Sequence, residues 1–403
     1  MDARRIVTSG YFDGERLHVD GPYSIDIALG VIRDIQRGDR ALDGSPLGGS
    51  ATRVGFVLPG LVEGHAHLFL DGAELDVNVR KDYLKAPLEQ MLDVGRRSLA
   101  DSLAAGVTMV RDAGDIYGVN GRLKAELKGR TGASPELRSP GRAIRKAKRY
   151  GSFMAEEVTD HASIVKMIEV LAPTADDLKI LLTGIIDFEK GEMKGGVQFD
   201  AAETNLIVTT ARQHGLRTYA HCSGMEGLRI AVDAGIDSIE HGFFLEKEIL
   251  REMADKSIAW VPTFSPVYFQ WERPELAGWN PETVGRLWGI LERHFENIAF
   301  ASDIGVPIVA GSDAGSYGVP HGKALVDELL FLRRAGMSMD KVLASATSVP
   351  RRLWGCPPAN IAVGQRANLV ALDASPIEDP TALRGVRLVY RNGWKQFAQP
   401  AVV

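Results

Sequence analysis

The stretch VLPGLVEGHAHLFLDG, Val57 to Gly72, sets His65 and His67 one residue apart. On an extended chain this i, i+2 spacing puts both imidazoles on one face. Imidazole is a common ligand of zinc and similar divalent ions, so the pair can clamp a metal. Taken alone, it can equally be polar punctuation at a strand end. Three further residues close short apolar runs in the same way: His221 in YAHCSG, His241 in SIEHG and Asp313 in GSDAG. Each has a bland reading, a satisfied polar side chain for the histidines and a helix cap for Asp313. Their joint appearance at matching positions carries the metal reading.

Lys179 is the sixth unusual residue, placed among leucines and isoleucines in ADDLKILLTG. A buried, unpaired ammonium is costly, so such a lysine has a partner or a depressed pKa. One reading is a salt bridge to Asp177 on the same face. The other is a neutral amine that takes up CO2 as a carbamate and bridges two metals, His65, His67 and Asp313 holding one and His221 and His241 the other. Lys166, Lys190 and Lys194 lie in helical or loop contexts and fit this role less well.

These residues need elements that bring distant strand ends together. From about Phe56 the chain alternates short apolar runs with amphipathic stretches. The runs are GFVLPGLVEGHAHL, GVTMVRDAG, PELRSPGRAI, DDLKILLTG, LRTYAHCSG, IDSIEHGF, IAWVPTFSP and GVPIVAGSDAG. Between them, segments such as LEQMLDVGRRSLADSLAAG and DAAETNLIVTTARQHG end on glycine, as helix C-termini do. Eight strands alternating with helices predict an α/β fold of the (β/α)8 TIM-barrel type, whose site lies at the C-terminal strand ends. A doubly wound sheet would carry a glycine-rich phosphate loop after its first strand, and none is present. Residues 1–55 and 360–403 instead carry short alternating strands. They are expected to form one small β-sandwich domain beside a barrel of residues 56–359, with 38–53 as a Gly/Ser-rich turn region.

With 403 residues, 45% hydrophobic and 25% charged, the composition is that of a globular chain. A formal charge of −5 gives no reason to expect nucleic acid or an acidic membrane surface as partner. No apolar run approaches the roughly 18–20 residues of a membrane span. The opening residues read as strand–turn–strand without the apolar core of a secretion signal. Two cysteines, Cys222 and Cys356, make no disulfide framework. A cytoplasmic homo-oligomer acting on a small molecule is the expectation.

The segments LPGLVEGHAH, GVTMVRDAG, DDLKILL, YAHCSG, SIEHG, GSDAG, ATSVPRRLWG and GQRANLVALDASP together resemble the amidohydrolase superfamily, in its binuclear imidazolonepropionase-like and prolidase-like branch. The resemblance covers nearly the whole chain. It implies a distorted TIM barrel, two divalent metals (typically Zn2+), a carbamylated Lys179 between them, and Asp313 as the carboxylate that shuttles the proton. Two departures matter. Where related peptidase-like members carry a GGHG-like element, this chain reads SPGRAIRKAKRYGSFMAEEV. Where the mononuclear deaminase branch has His-x-x-Glu, HCSGME has Gly224.

A pair of ions about 3.5–4 Å apart can hold a bridging hydroxide for attack on a polarised carbonyl. Asp313 would take its proton and deliver it to the leaving group, with His241 or His221 beside the developing oxyanion. Arg111 could pair with a substrate carboxylate, or form a salt bridge with Asp112 or Asp115. Arg142, Arg145 and Tyr150 in the basic run suit an anionic substrate, or line a solvated loop. Tyr150 and His321 are candidate donors to substrate. The leading function is hydrolysis of the C–N bond of a small, carboxylate-bearing amide: an N-acyl amino acid, dipeptide or cyclic amide. A lactonase or organophosphorus ester hydrolase with the same centre is the alternative, and a catalytically silent barrel is the reading from another class. His18, His161, His214 and His294 have no assigned role.

Overall fold

A computed structural model describes residues 4–40, 51–129 and 134–398. Most of the Gly/Ser-rich turn region, residues 41–50, lies outside them. The fold is mixed α/β with parallel sheets. Six parallel strands run in the order Ala155–Val158, Ala143–Lys146, Asp177–Leu181, Arg217–Cys222, Ser238–His241, Ala259–Val261, and three more run Leu61–Ala66, Val107–Asp112, Glu136–Arg138. The two sheets meet through residues 308–314. Val309 N donates to Trp260 O (2.9 Å) on one side, and Gly64 N donates to Ala310 O (2.9 Å) on the other.

Five of the eight expected runs form single parallel strands of this set, Val107–Asp112, Asp177–Leu181, Arg217–Cys222, Ser238–His241 and Ala259–Val261. The first run contributes Leu61–Ala66, but its beginning belongs to the terminal sheet. The third splits into Glu136–Arg138 and Ala143–Lys146. The eighth makes only isolated bridges, Trp260 with Ile308 and Ala66 with Ala314. Pro307 offers no N–H to a ladder, and Asp313 turns to φ 58°, outside strand geometry. Strand Ala155–Val158 and the hairpin Thr183–Asp187/Glu192–Val197 were not signalled by any apolar run; beyond Gly184 the hairpin buries none of its residues fully.

The helices cover the parallel strands. Leu88–Ala104 buries Met91, Leu92, Val94, Leu99 and Leu103 along one stripe, the 3.6-residue pattern its sequence carries. Ala201–Gln213 opens on a capping box of Asp200 and Glu203. The glycines that close these two segments, Gly106 and Gly215, have φ 87° and 72°.

Both chain ends enter one eight-stranded sheet in the order Trp394–Ala398, Val386–Arg391, Leu369–Leu372, Ala51–Pro59, Arg4–Phe12, Tyr23–Ala28, Val31–Arg37, with Leu17–His18 paired to Arg4–Phe12. Strand Ala51–Pro59 belongs to it and Leu61–Ala66 to the parallel set, so the chain changes sheets at Gly60. A Cβ there would lie 2.3 Å from Thr108 Oγ1, so only glycine lets the two strands approach at the hand-over.

Candidate metal centre

The parallel strands deliver His65, His67, His221 and His241 to one end of the sheet, and the bridging segment brings Asp313 to them. His65, His67 and Asp313 offer ligand atoms within 4.8 Å of one another. His67 Nε2 lies 3.2 Å and His65 Nε2 3.6 Å from Asp313 Oδ1. The His241 ring centroid is 5.1 Å from that of His65 and 4.5 Å from that of His221. All five are more than nine-tenths buried except His221, which is half-buried. His241 and Asp313 both adopt positive φ, 69° and 58°. For non-glycine residues this costs roughly 1–3 kcal/mol each, a strain that clusters at functional sites.

Fixed acceptors decide the histidine tautomers. Glu240 Oε2 sits 2.5 Å from His65 Nδ1, so that nitrogen carries the proton and Nε2 keeps its lone pair. His221 Nε2 faces the Gly184 carbonyl at 2.9 Å, leaving Nδ1 free. Thr263 Oγ1 donates to Pro262 O and therefore accepts from His241 Nδ1 at 2.8 Å, leaving Nε2 free. Burial, with the Lys179 charge, pulls His65 and His221 down to about 4, and burial with the neighbouring histidines holds His241 well below the usual range. At neutral pH all three rings are neutral, the form that binds metal.

Lys179 is 1% exposed, and its Nζ has no hydrogen-bond partner among the described residues. The partner it might have had is taken: Asp177 accepts two bonds from Arg138, at 2.5 and 2.8 Å. Burial, opposed by Glu240, leaves the Lys179 amine lowered to about 8. Burial pushes Asp313 up, but the His67 imidazole beside its Oδ1, with His65 and Lys179 nearby, holds it below the ordinary carboxylate range. His67 Nδ1 and Asp313 Oδ1 are the other buried site atoms without a hydrogen bond. Buried polar atoms are nearly always paired. The Asp313 carboxylate and the open nitrogens of the neutral imidazoles are donors that a divalent cation accepts, so these residues fit a metal centre.

The expected substrate contacts fare differently. Arg111 is 2% exposed and lies beneath the histidines, donating to Gly64 O (2.8 Å) and Glu240 Oε1 (2.9 Å). Its ion pair is with Glu240, not with Asp112 or Asp115. Those carboxylates are bonded to Leu68 N, Gly114 N and Asn120, and to Val119 N and Asn120 N. Arg142 pairs with Glu156, and Arg145 with Glu157 and the carbonyls of Ala155 and Arg149. His321 is buried with Nε2 on Leu70 O at 3.0 Å, where it fastens the loop after His67. Tyr150 packs its ring 5.5 Å from His221, and burial with the Asp313 charge raises its phenol. It is the one of these five that faces the metal residues.

Glu240 is the residue the sequence reading missed. It stands beside His241 as a carboxylate in an apolar strand, the same signal that marked Lys179. Burial would raise it, but Arg111 and His65 hold it lowered to about 2. Among the histidines without an assigned role, His294 stacks on Phe243 at 4.2 Å and bonds to Pro262 O, a packing role.

A profile of the amidohydrolase family matches residues 56–395. An uncharacterized protein of Mycobacterium tuberculosis is 28% identical over 383 residues, covering 94% of this chain and 95% of its own length. The crystal structure of a Xaa-Pro dipeptidase with methionine bound in its active site superposes with a TM-score of 0.82 at 24% identity, covering 99% of this chain and all of that one. Ochratoxinase of Aspergillus niger is 25% identical over 231 residues, 56% of this chain and 47% of that protein. Its crystal structure gives a TM-score of 0.79 at 20% identity, over 100% and 97% of the two chains. No helix among the described residues is long and apolar enough to cross a membrane.

Proposed function

The chain belongs to the amidohydrolase family and is a metal-dependent hydrolase; from that premise we propose that it cleaves the C–N bond of a small amide, such as an N-acyl amino acid, dipeptide or cyclic amide. The observation that carries this reading is the convergence of His65, His67 and Asp313 within 4.8 Å beside an unpartnered, buried Lys179 amine. The dipeptidase and ochratoxinase likenesses fit it. We read the two linked parallel sheets as a distorted (β/α)8 barrel, residues 56–359. The terminal sheet would be a small sandwich of 1–55 with 360–403: its far edge curls back, so that Val31 pairs with Arg366 around a core of Ile6, Ile25, Ile32 and Leu369.

His65, His67 and Asp313 would hold one divalent ion and His221 and His241 a second, Zn2+ by ligand type. Bound there, the ions supply Lewis acidity and an activated water. A neutral lysine amine free of partners can add CO2 and lose one proton, and the resulting carbamate would supply an anionic oxygen donor at Lys179 for the bound ions. The Asp313 carboxylate accepts the proton of the attacking water and delivers it to the departing amine nitrogen. The Tyr150 phenol, kept protonated, donates to the developing oxyanion beside His221. Arg111 is engaged with Glu240 inside the protein and Arg142 with Glu156 at its surface, so neither arginine is assigned to a substrate carboxylate.

A panel of dipeptides, dipeptide amides, N-acyl amino acids, lactones and phosphoesters tests the reaction. Turnover of amides is the expected result, and turnover of esters alone would sink it in favour of the lactonase or organophosphorus reading. Lys179→Ala should lose metal and activity together, with partial recovery in short carboxylic acids. Wild-type activity in that variant would dispose of the carbamate.

A further inference from the structure

Beneath the histidines lies a buried layer that the proposed chemistry does not touch. Glu240 is fully buried, and each of its oxygens is committed. Oε2 accepts from His65 Nδ1 at 2.5 Å, while Oε1 accepts from Arg111 Nη2 at 2.9 Å and from Ser238 Oγ at 2.5 Å. The Arg111 guanidinium is itself clamped, over the Tyr219 ring at 4.3 Å and the Trp354 ring at 4.6 Å. Its Nε donates to the carbonyl of Gly64, the residue that precedes His65. One guanidinium therefore grips both the backbone and the side-chain anchor of His65. Tyr219 Oη donates to Asp112 O at 2.8 Å, which ties the clamp to the strand that carries Arg111.

We propose that Glu240, held by Arg111, is a positioning residue that fixes His65 as a metal ligand, so that this buried layer sets the metal affinity of the centre. The inference rests on the metal-centre reading above. Its logic is geometric. An acceptor-only carboxylate on Nδ1 forces the proton there, so Nε2 presents a lone pair towards Asp313. The second oxygen, pinned by two donors, stops the carboxylate from rotating and the ring from turning with it. Stability alone does not account for the arrangement. A buried ion pair returns little net stabilisation relative to apolar side chains of the same volume. Outer partners of ligating histidines tune affinity about 10–100-fold.

The test measures Zn2+ binding by chelator competition, and the visible absorption of the Co2+ form, in the full chain. Glu240→Gln keeps the shape but sets an amide against either Arg111 or His65, and should weaken Zn2+ binding about 10–100-fold and alter the Co2+ bands. Arg111→Met should do likewise, and Arg111→Lys should recover part of the loss by restoring the charge. Glu328→Gln is the control: this buried carboxylate bonds to Ser265 and touches none of the histidines, so its affinity should stay at the wild-type value. If Glu240→Gln does not fold, Ser238→Ala removes one donor to Oε1 and should weaken binding severalfold. Zn2+ affinity and Co2+ bands unchanged in folded Glu240→Gln, or in folded Ser238→Ala where that carries the test, would overturn the inference alone. Failure of the wild-type protein to bind metal would overturn the metal-centre reading, and this inference with it.

Discussion

Two buried arginine–carboxylate pairs do opposite things in this molecule. In the terminal sheet, Arg5 and Asp26 are cross-strand partners, and two donors meet two acceptors at 2.6 and 2.8 Å. That pair is a strut between strands. Arg111 and Glu240 come from strands that are not neighbours, and the pair does not close on itself: the second Glu240 oxygen continues to His65, whose far nitrogen is open. Around the first pair the core is Ile6, Ile25, Ile27 and Leu369. Around the second are three buried polar atoms without hydrogen bonds and two residues at positive φ. Burial stabilises one region, and in the other it keeps the candidate ligands His65, His221 and His241 neutral. A site of this kind costs stability that the terminal core and the helices packed on the parallel strands must offset.

Substitutions should separate the two regions. The largest effect is expected from Asp313→Asn. If Asp313 moves the proton, kcat falls about 10²–10⁴-fold in steady-state assays, while the melting temperature holds or falls slightly, because the fold favours the charged carboxylate. A loss of less than tenfold would remove Asp313 from proton transfer. Ile25→Ala addresses the terminal sheet, where deletion of a fully buried side chain should cost about 2–5 kcal/mol in denaturant titrations. Metal content and kcat of the folded fraction should stay unchanged, and a parallel loss of metal would show that the regions are not separate.

Glu328 gives a pH-dependent contrast. Burial raises its carboxyl from 4.5 to about 8, against hydrogen bonds from Ser265 that lower it. The folded state therefore holds a proton that the unfolded chain releases. Its contribution to stability is full below about 4.5 and drains away as pH rises through about 8. Glu328→Gln should flatten that part of the stability profile, and an unchanged slope would mean that the carboxyl ionises freely in the fold. The smallest effect is expected from Arg142→Gln. Its pair with Glu156 is half exposed, so about 0–1 kcal/mol is at stake and KM for any amide substrate should be unaffected. A large rise in KM would return Arg142 to the substrate.

The candidate ligands were legible in the sequence for a physical reason. Strand periodicity fixes the facing of His65 and His67, and an apolar run that ends on a polar residue marks each of the other strand ends. Lys179 was legible because an ammonium among leucines violates the ordinary rule of burial. The helices that end at Gly106 and Gly215 were legible because glycine adopts positive φ without strain. The hairpin after Leu181 was not, since its exposed residues carry little apolar signal. Nor was the weakness of the last run, where Pro307 and the turn at Asp313 leave bridges instead of a ladder.

By itself the sequence determined which residues could be ligands, because residue chemistry and local spacing are properties of short stretches. Tertiary structure alone decided partners. Glu240 is 175 residues from His65 and 129 from Arg111 along the chain, and Arg138 is 39 from Asp177. Which charges meet depends on strand order and on which faces turn inward, and neither is encoded within any one strand. That is why Arg111 reads from the sequence as a hand held out to substrate, while in the fold its guanidinium is bonded to Gly64 O and Glu240 behind His65.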